Sequence, residues 1–169
     1  MLASLLGLLV LTSLGIAQAQ DSSAAATRPG RLAVGAGIGL QGDTADGTAF
    51  AFNLNGDYYL TKNVAIGPLA QFGFTSDLTQ FGLTAQVKYL LDLPQSPRLK
   101  PHAEAGIGFL VSDLHRRGTD SGYLLPLGLG VEYRLSPKVT LDTTLFFNFT
   151  DVHDNTFFVS WIAGAKIPF

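Results

Sequence analysis

From Leu32 to Phe169 the sequence alternates large apolar residues with small or polar ones. A period of two puts successive side chains on opposite faces of a strand, so this feature restricts the fold more than any other. Leu32, Val34, Ala36, Ile38 and Leu40 share one face of a first strand; Ala33, Gly35, Gly37, Gly39 and Gln41 share the other. Phe50, Phe52, Leu54 and Tyr58 oppose Ala51, Asn53, Asn55 and Asp57 in a second. Apolar faces then recur at 64–72, 83–89, 103–109, 123–133, 139–149 and 157–169. The pattern predicts an all-β chain of eight strands of about ten residues, the length that crosses a bilayer at a tilt.

The connections alternate in character. LTKN (60–63), LDLPQSPR (91–98) and LSPK (135–138) read as turns because Pro, Asn and Ser punctuate strands. QGDTADG (41–47), TSD (75–77), SDLHRRGTDS (112–121) and TDVHDN (150–155) hold most charges that lie off the strands. The two sets fall at opposite ends of an antiparallel, up-and-down array. An even strand count returns both termini to the turn end.

Charge decides which face points inward. Charged residues are 14% of the chain, against about 25% in soluble domains, too few to coat a soluble surface. The minority face collects Asp57, Lys88, Lys100, His102, Glu104, Glu132, Arg134, Asp142 and Lys166, with most strand glycines. An eight-stranded barrel has room inside for side chains and little else. The large apolar face would overpack that space. The expectation is therefore a transmembrane β-barrel with apolar residues toward lipid and a paired charge network in the lumen, its loop end rich in glycine. Tyr58, Tyr89, Tyr133, Trp161 and Phe169 are placed at the turn end of the outer face. Phe50, Phe72, Phe74, Phe81, Phe109, Tyr123, Phe147, Phe149 and Phe157 are placed at the loop end. Two such girdles are expected of a spanning barrel.

The segment MLASLLGLLVLTSLGIAQAQ is an apolar run ending in Ala17-Gln18-Ala19, an A-x-A cleavage pattern. It predicts a signal peptide over 1–19, removed after Ala19, although no Lys or Arg precedes the run. Residues 20–30 then form a flexible periplasmic N-terminus, and 31–169 the barrel. A net charge of −2 gives no electrostatic reason to expect nucleic acid as a partner, and the lack of cysteine excludes disulfides and thiolate metal sites.

The wording VEYRLSPKVTLDTTLFF and the closing WIAGAKIPF resemble the small outer-membrane β-barrels: the OmpA transmembrane domain, OmpX and the opacity-type proteins. The likeness runs from about Arg31 to Phe169. It implies location in the bacterial outer membrane with loops extracellular and both termini periplasmic. It implies outer-membrane lipid and lipopolysaccharide as surroundings. It also implies that Trp161, Ala163, Ala165, Ile167 and Phe169 form the signal read by the barrel-assembly machinery. A monomer is expected.

Catalytic and ligand motifs are weak beside this pattern. Gly37–Gly42 matches G-x-G-x-x-G, but a loop follows where a dinucleotide site needs a helix. Ser112, Asp113 and His115 lie near the third loop, Ser160 in the last strand, and His102 and Glu104 share the lumen face. Loop polarity and lumen filling account for them, as solvation accounts for Asp151, His153 and Asp154. No catalytic residue, cofactor or metal is expected. His115, Arg116 and Arg117 are candidates to meet lipopolysaccharide phosphates. The leading expectation is a non-enzymatic barrel that serves as envelope scaffold or interacts with surface ligands or small solutes. The alternatives are a lipid-modifying enzyme of the lipid A deacylase kind and a soluble lipocalin-like carrier.

Overall fold

A computed structural model describes residues 29–169 except Arg116 and Asn155. The predicted signal peptide and nearly all of the 20–30 segment lie outside these residues. The rest is a closed antiparallel barrel in which each strand pairs with its sequence neighbours and β8 closes on β1. The strands are β1 Leu32–Thr44, β2 Gly47–Tyr59, β3 Val64–Phe74, β4 Leu78–Leu90, β5 Leu99–Leu114, β6 Gly118–Ser136, β7 Val139–Thr150 and β8 Phe157–Pro168. The closing pair runs in register from Ala33↔Pro168 to Gly42↔Val159, and the Phe169 amide donates to the Leu32 carbonyl at 2.7 Å. The G-x-G-x-x-G stretch is part of β1.

The strands run 11 to 19 residues, longer than the alternation suggested. QGDTADG is mostly strand: only Ala45 and Asp46 stand between β1 and β2. Gly47 takes φ +83° there, a left-handed conformation that glycine adopts without a Cβ clash. SDLHRRGTDS is likewise mostly strand, with β5 running to Leu114 and β6 starting at Gly118. Proline marks two gaps in the ladders. The β5–β6 register skips from Ala105↔Leu127 to Gly108↔Leu124 around Pro126, and the β2–β3 register skips from Asn55↔Leu69 to Tyr58↔Ile66 around Pro68. Proline has no N–H to donate to a ladder.

The outer face is apolar and exposed from Leu32 and Val34 in β1 to Trp161 and Ile167 in β8. Near the loop end Phe52, Phe72, Phe81 and Phe109 form a cross-strand series with ring centres 5.7, 5.1 and 6.2 Å apart. Trp161 does not join the turn-end girdle expected of it. It pairs with Leu40 and Leu145, in the middle third of the sheet, and its indole donates to the Thr143 hydroxyl at 3.1 Å.

The lumen is layered. Ala33, Tyr59, Ala65 and Leu90 close the turn end. Charged residues come next, then Ala51, Leu69, Phe146 and Ile162. A top layer of Leu110, Leu124, Phe158 and Val152 closes the loop end. The loop end, expected to be rich in glycine, also carries these apolar layers, with buried Gln41, Gln71, Gln80, Asn148 and Ser160 among them. Glycine makes the room for the layers: a Cβ on Gly37 would come within 2.6 Å of the Ile162 side chain, and one on Gly82 within 2.6 Å of Leu124.

Candidate functional site

The centre of the lumen is an ion cluster gathered from six strands. Lys166 of β8 reaches Asp57 of β2 and Glu132 of β6 at 2.8 Å each, and also contacts Asp142 of β7. Lys88 of β4 lies 3.4 Å from Asp57 and 3.6 Å from each of Glu104, Glu132 and Asp142. Both lysines are about 3% exposed, so bulk water does little to screen them. His102 of β5 donates through Nε2 to the Thr144 hydroxyl at 3.1 Å, and Thr144 donates to Asp142 at 2.9 Å. The same Nε2 lies 3.4 Å from Glu104. Period-two geometry brings all these side chains inward; the stagger between strands brings them to one height.

The nine charges expected in the lumen do not form one balanced set. Lys100 sits lower and pairs with Asp92 of the β4–β5 turn at 2.8 Å. Arg134 lines a cavity of about 10 Å³ at the turn end with Tyr59, Lys100, Glu132 and Thr140. In the central cluster each lysine is shared among several carboxylates. The reason is axial position: a facing pattern says that a side chain points inward, not how far along the barrel it sits. The cavity beside the cluster holds about 20 Å³, about the space of one water. His102, Glu132 and Asp142 have ligand atoms within 4.8 Å of one another. The Lys166 ammonium already rests on both carboxylates, so a metal ion would have to displace it.

The loop end carries a second set of contacts. After β7 the short 3-10 turn Val152–Asp154 buries Val152 against Leu110, Leu124 and Phe158. Asp120 accepts the His153 backbone amide at 2.7 Å, the His153 ring Nε2 donates to the Ser112 carbonyl at 3.1 Å, and Asp151 accepts the Tyr123 amide at 3.0 Å. His153 has φ +55°, and these bonds hold it there.

The catalytic candidates do not assemble. Ser112 faces the lumen, fully buried, while Asp113 and His115 are exposed. Ser160 accepts the Asn148 amide at 3.0 Å. His153 meets the carbonyl of Ser112 and Asp120 meets a backbone amide. No nucleophile, base and orienting carboxylate stand in series among the described residues, as covalent hydrolysis would require. Of the lipopolysaccharide candidates, His115 and Arg117 are exposed in the β5–β6 turn, and Arg116 lies outside the described residues. Trp161, Ala163, Ala165, Ile167 and Phe169 are all exposed on the outer face.

A family model described as "Outer membrane protein beta-barrel domain" matches residues 6–168. No curated protein matches the sequence significantly. Among solved structures, Neisserial surface protein A superposes with TM-score 0.66 at 18% identity, covering 82% of this chain and 96% of that one. The N-terminal β-barrel domain of Pseudomonas aeruginosa OprF gives 0.62 at 12% identity, covering 83% and 98%. The outer membrane enzyme PagL gives 0.50 at 13% identity, covering 81% and 99%. At these identities the likeness is one of fold, and the fold hosts an enzyme as well as surface proteins.

Proposed function

Because the chain belongs to the outer-membrane β-barrel domain family, we propose that it acts as a closed, non-catalytic barrel of the bacterial outer membrane, a scaffold that presents short loops to the exterior. The observation that carries this reading is the side-chain packing of the lumen among the described residues. Ions occupy the middle, Ala33, Tyr59, Ala65 and Leu90 pack toward the turn end, and Val152 packs with Leu110, Leu124 and Phe158 at the loop end. Among the described residues the cavities beside the cluster and at the turn end hold about 20 and 10 Å³, and no nucleophile, base and carboxylate stand in series for an acyl-chain hydrolase.

The same reading takes the signal peptide as removed after Ala19, with both termini periplasmic and the loops outside, in a monomer. The outward face of β8, from Trp161 to Phe169, is the stretch assigned to the barrel-assembly machinery. Lipopolysaccharide contact falls to the β5–β6 turn with His115, Arg116 and Arg117.

One comparison tests the functional reading: cells with and without the protein, examined for lipid A mass profile, alongside the purified barrel in planar bilayers. The expected result is an unchanged lipid A profile and no steady conductance. Loss of an acyl chain from lipid A would replace this reading with the enzymatic one. A stable open channel would replace it with a pore.

A further inference from the structure

The small cavity at the turn end of the lumen has a mostly positive lining. Arg98, Lys100 and Arg134 supply the cations, and Glu132 is the carboxylate among the described residues that line it. Strand register gathers these groups. Arg134 and Thr140 are partners across β6 and β7, and Lys100 and Glu132 are partners across β5 and β6. The Arg134 amide donates to the Arg98 carbonyl at 2.8 Å, which lays the chain before β5 alongside Arg134. Tyr59 of β2 and Thr140 add hydroxyl-bearing side chains to the lining, and both are buried. Pro97 and Arg98 are exposed and give the cavity a rim in solvent.

The carboxylates at this end are already shared. Glu132 lies 2.8 Å from Lys166 and 3.6 Å from Lys88 in the central cluster. Asp92 meets Lys100 at 2.8 Å, Lys62 at 3.3 Å and the Asn63 side-chain amide at 3.2 Å. Two arginines and a lysine therefore converge on a space whose neighbouring negative charge is divided among other cations.

We propose that this mouth is a binding site for the terminal phosphate of a soluble phosphate monoester. The cavity holds about 10 Å³, the space of one oxygen-sized group. One phosphate oxygen enters it, and the others stay at the rim. The guanidinium fork matches phosphate geometry, so Arg134 serves the inserted oxygen and Arg98 those outside. Lys100 contributes a point charge, and the Thr140 and Tyr59 hydroxyls are neutral donors. A dianion suits this lining better than a carboxylate, because three cations face Glu132. Tyr59, Arg134 and Thr140 are buried in the lumen rather than exposed on the outer face, so the ligand comes from solution and not from the bilayer.

The competing role for the same cations needs no ligand. In the central cluster Asp57, Glu104, Glu132 and Asp142 outnumber Lys88 and Lys166, and basic side chains nearby offset that surplus. Calorimetry separates the two roles. Inorganic phosphate and glycerol 3-phosphate are titrated into the protein, folded in a phosphate-free maltoside detergent, at constant ionic strength set with chloride. Saturable binding with a Kd on the order of 1 mM is expected for both. Arg98→Gln, at an exposed position, should weaken it about tenfold, the size of one charge-assisted hydrogen bond, with heat-modifiable gel migration unchanged. Arg134→Lys keeps the charge but loses the fork, and should weaken binding too. Lys138→Gln removes the same charge at an exposed position outside the lining and should leave the Kd unchanged. Absence of saturable binding overturns the site and leaves the cations as counter-charge to the cluster. Binding that Arg98→Gln retains in full, or that Lys138→Gln weakens as strongly, overturns it in favour of attraction by net charge. Acetate binding as tightly as phosphate overturns the assignment of the ligand.

Discussion

The two halves of the lumen solve one problem by opposite means. Toward the turn end Lys88 and Lys166 are shared among Asp57, Glu104, Glu132 and Asp142. Toward the loop end two apolar layers, Leu69, Phe146 and Ile162, then Leu110, Leu124 and Phe158, enclose the uncharged Gln71, Asn148 and Ser160. Burying ions costs several kcal/mol each and is repaid when the pairs are complete. Burying apolar side chains stabilises by roughly 1.5–3 kcal/mol apiece. Apolar packing tolerates many arrangements. An ion cluster drawn from β2, β4, β5, β6, β7 and β8 is satisfied in one register. The loop-end half contributes most of the stability, and the turn-end half most of the specificity of closure.

Removing one cation tests this division most severely. Lys166→Met keeps the side-chain length and leaves Lys88 facing the carboxylates alone. The expected loss is about 3–5 kcal/mol, the cost of breaking a buried pair, measured by urea titration of the folded protein in lipid. A loss below about 1 kcal/mol, the size of an exposed pair, would mean that the cluster is solvated and specifies nothing. In the other half Phe158→Ala should cost about 3 kcal/mol, the low end for an aromatic truncation, because Val152, packed against it, can settle into the space. Its mark should be local: faster proteolysis of the loop at unchanged strand pairing. If urea midpoints fall while the loop stays protected, the apolar layer is not what holds the loop.

Gly128 lies where the halves meet. A Cβ there would come within 2.6 Å of the Glu104 side chain and 3.0 Å of the Phe146 ring. Gly128→Ala therefore pushes on an ion partner and on an apolar layer together. Overpacking of this kind costs about 1–3 kcal/mol. Combined with Lys166→Met, its effect should be less than additive, since the first change already loosens Glu104 and its neighbours. Strict additivity would show that the two layers are independent.

Much of this was legible in the sequence, and the gaps have physical causes. Alternation assigns a side chain to a face, so Asp57, Lys88, Glu132 and Lys166 could be placed in the lumen. It carries no information on height, which depends on stagger between strands, so Lys100 could not be separated from the central cluster. The mid-sheet position of Trp161 is hidden from alternation for the same reason. The inward apolar layers near the loop end are hard to read because alternation lapses there. Yet Phe146-Phe147 and Phe157-Phe158 are adjacent pairs, and in a strand one of each pair must face inward. The polar stretches at 41–47 and 112–121 read as loops because a strand that projects beyond the apolar belt has no reason to alternate.

The smallest expected effect lies just outside the lumen, at Asp92. Its carboxyl is hydrogen-bonded first by Lys100, at 2.8 Å, and further by Asn63 and Lys62. These hold its pKa at about 2, below the ordinary 3.8. A depressed carboxylate stabilises the fold above its unfolded pKa and loses that contribution as pH falls through the folded value. The contribution is therefore complete above pH 3.8 and lost on the way down to about pH 2. Asp92 is well exposed, so solvent screens most of the gain. An NMR titration should find its carboxyl still ionised at pH 3.8, and Lys100→Gln should return it toward the ordinary value. Hydrogen exchange in the β4–β5 turn should rise over the same range, and Asp92→Asn should remove that dependence while urea midpoints at neutral pH barely move. A large stability loss at neutral pH would mean that Asp92 and Lys100 belong to the buried cluster, moving the boundary between specific closure and solvated rim outward by one turn.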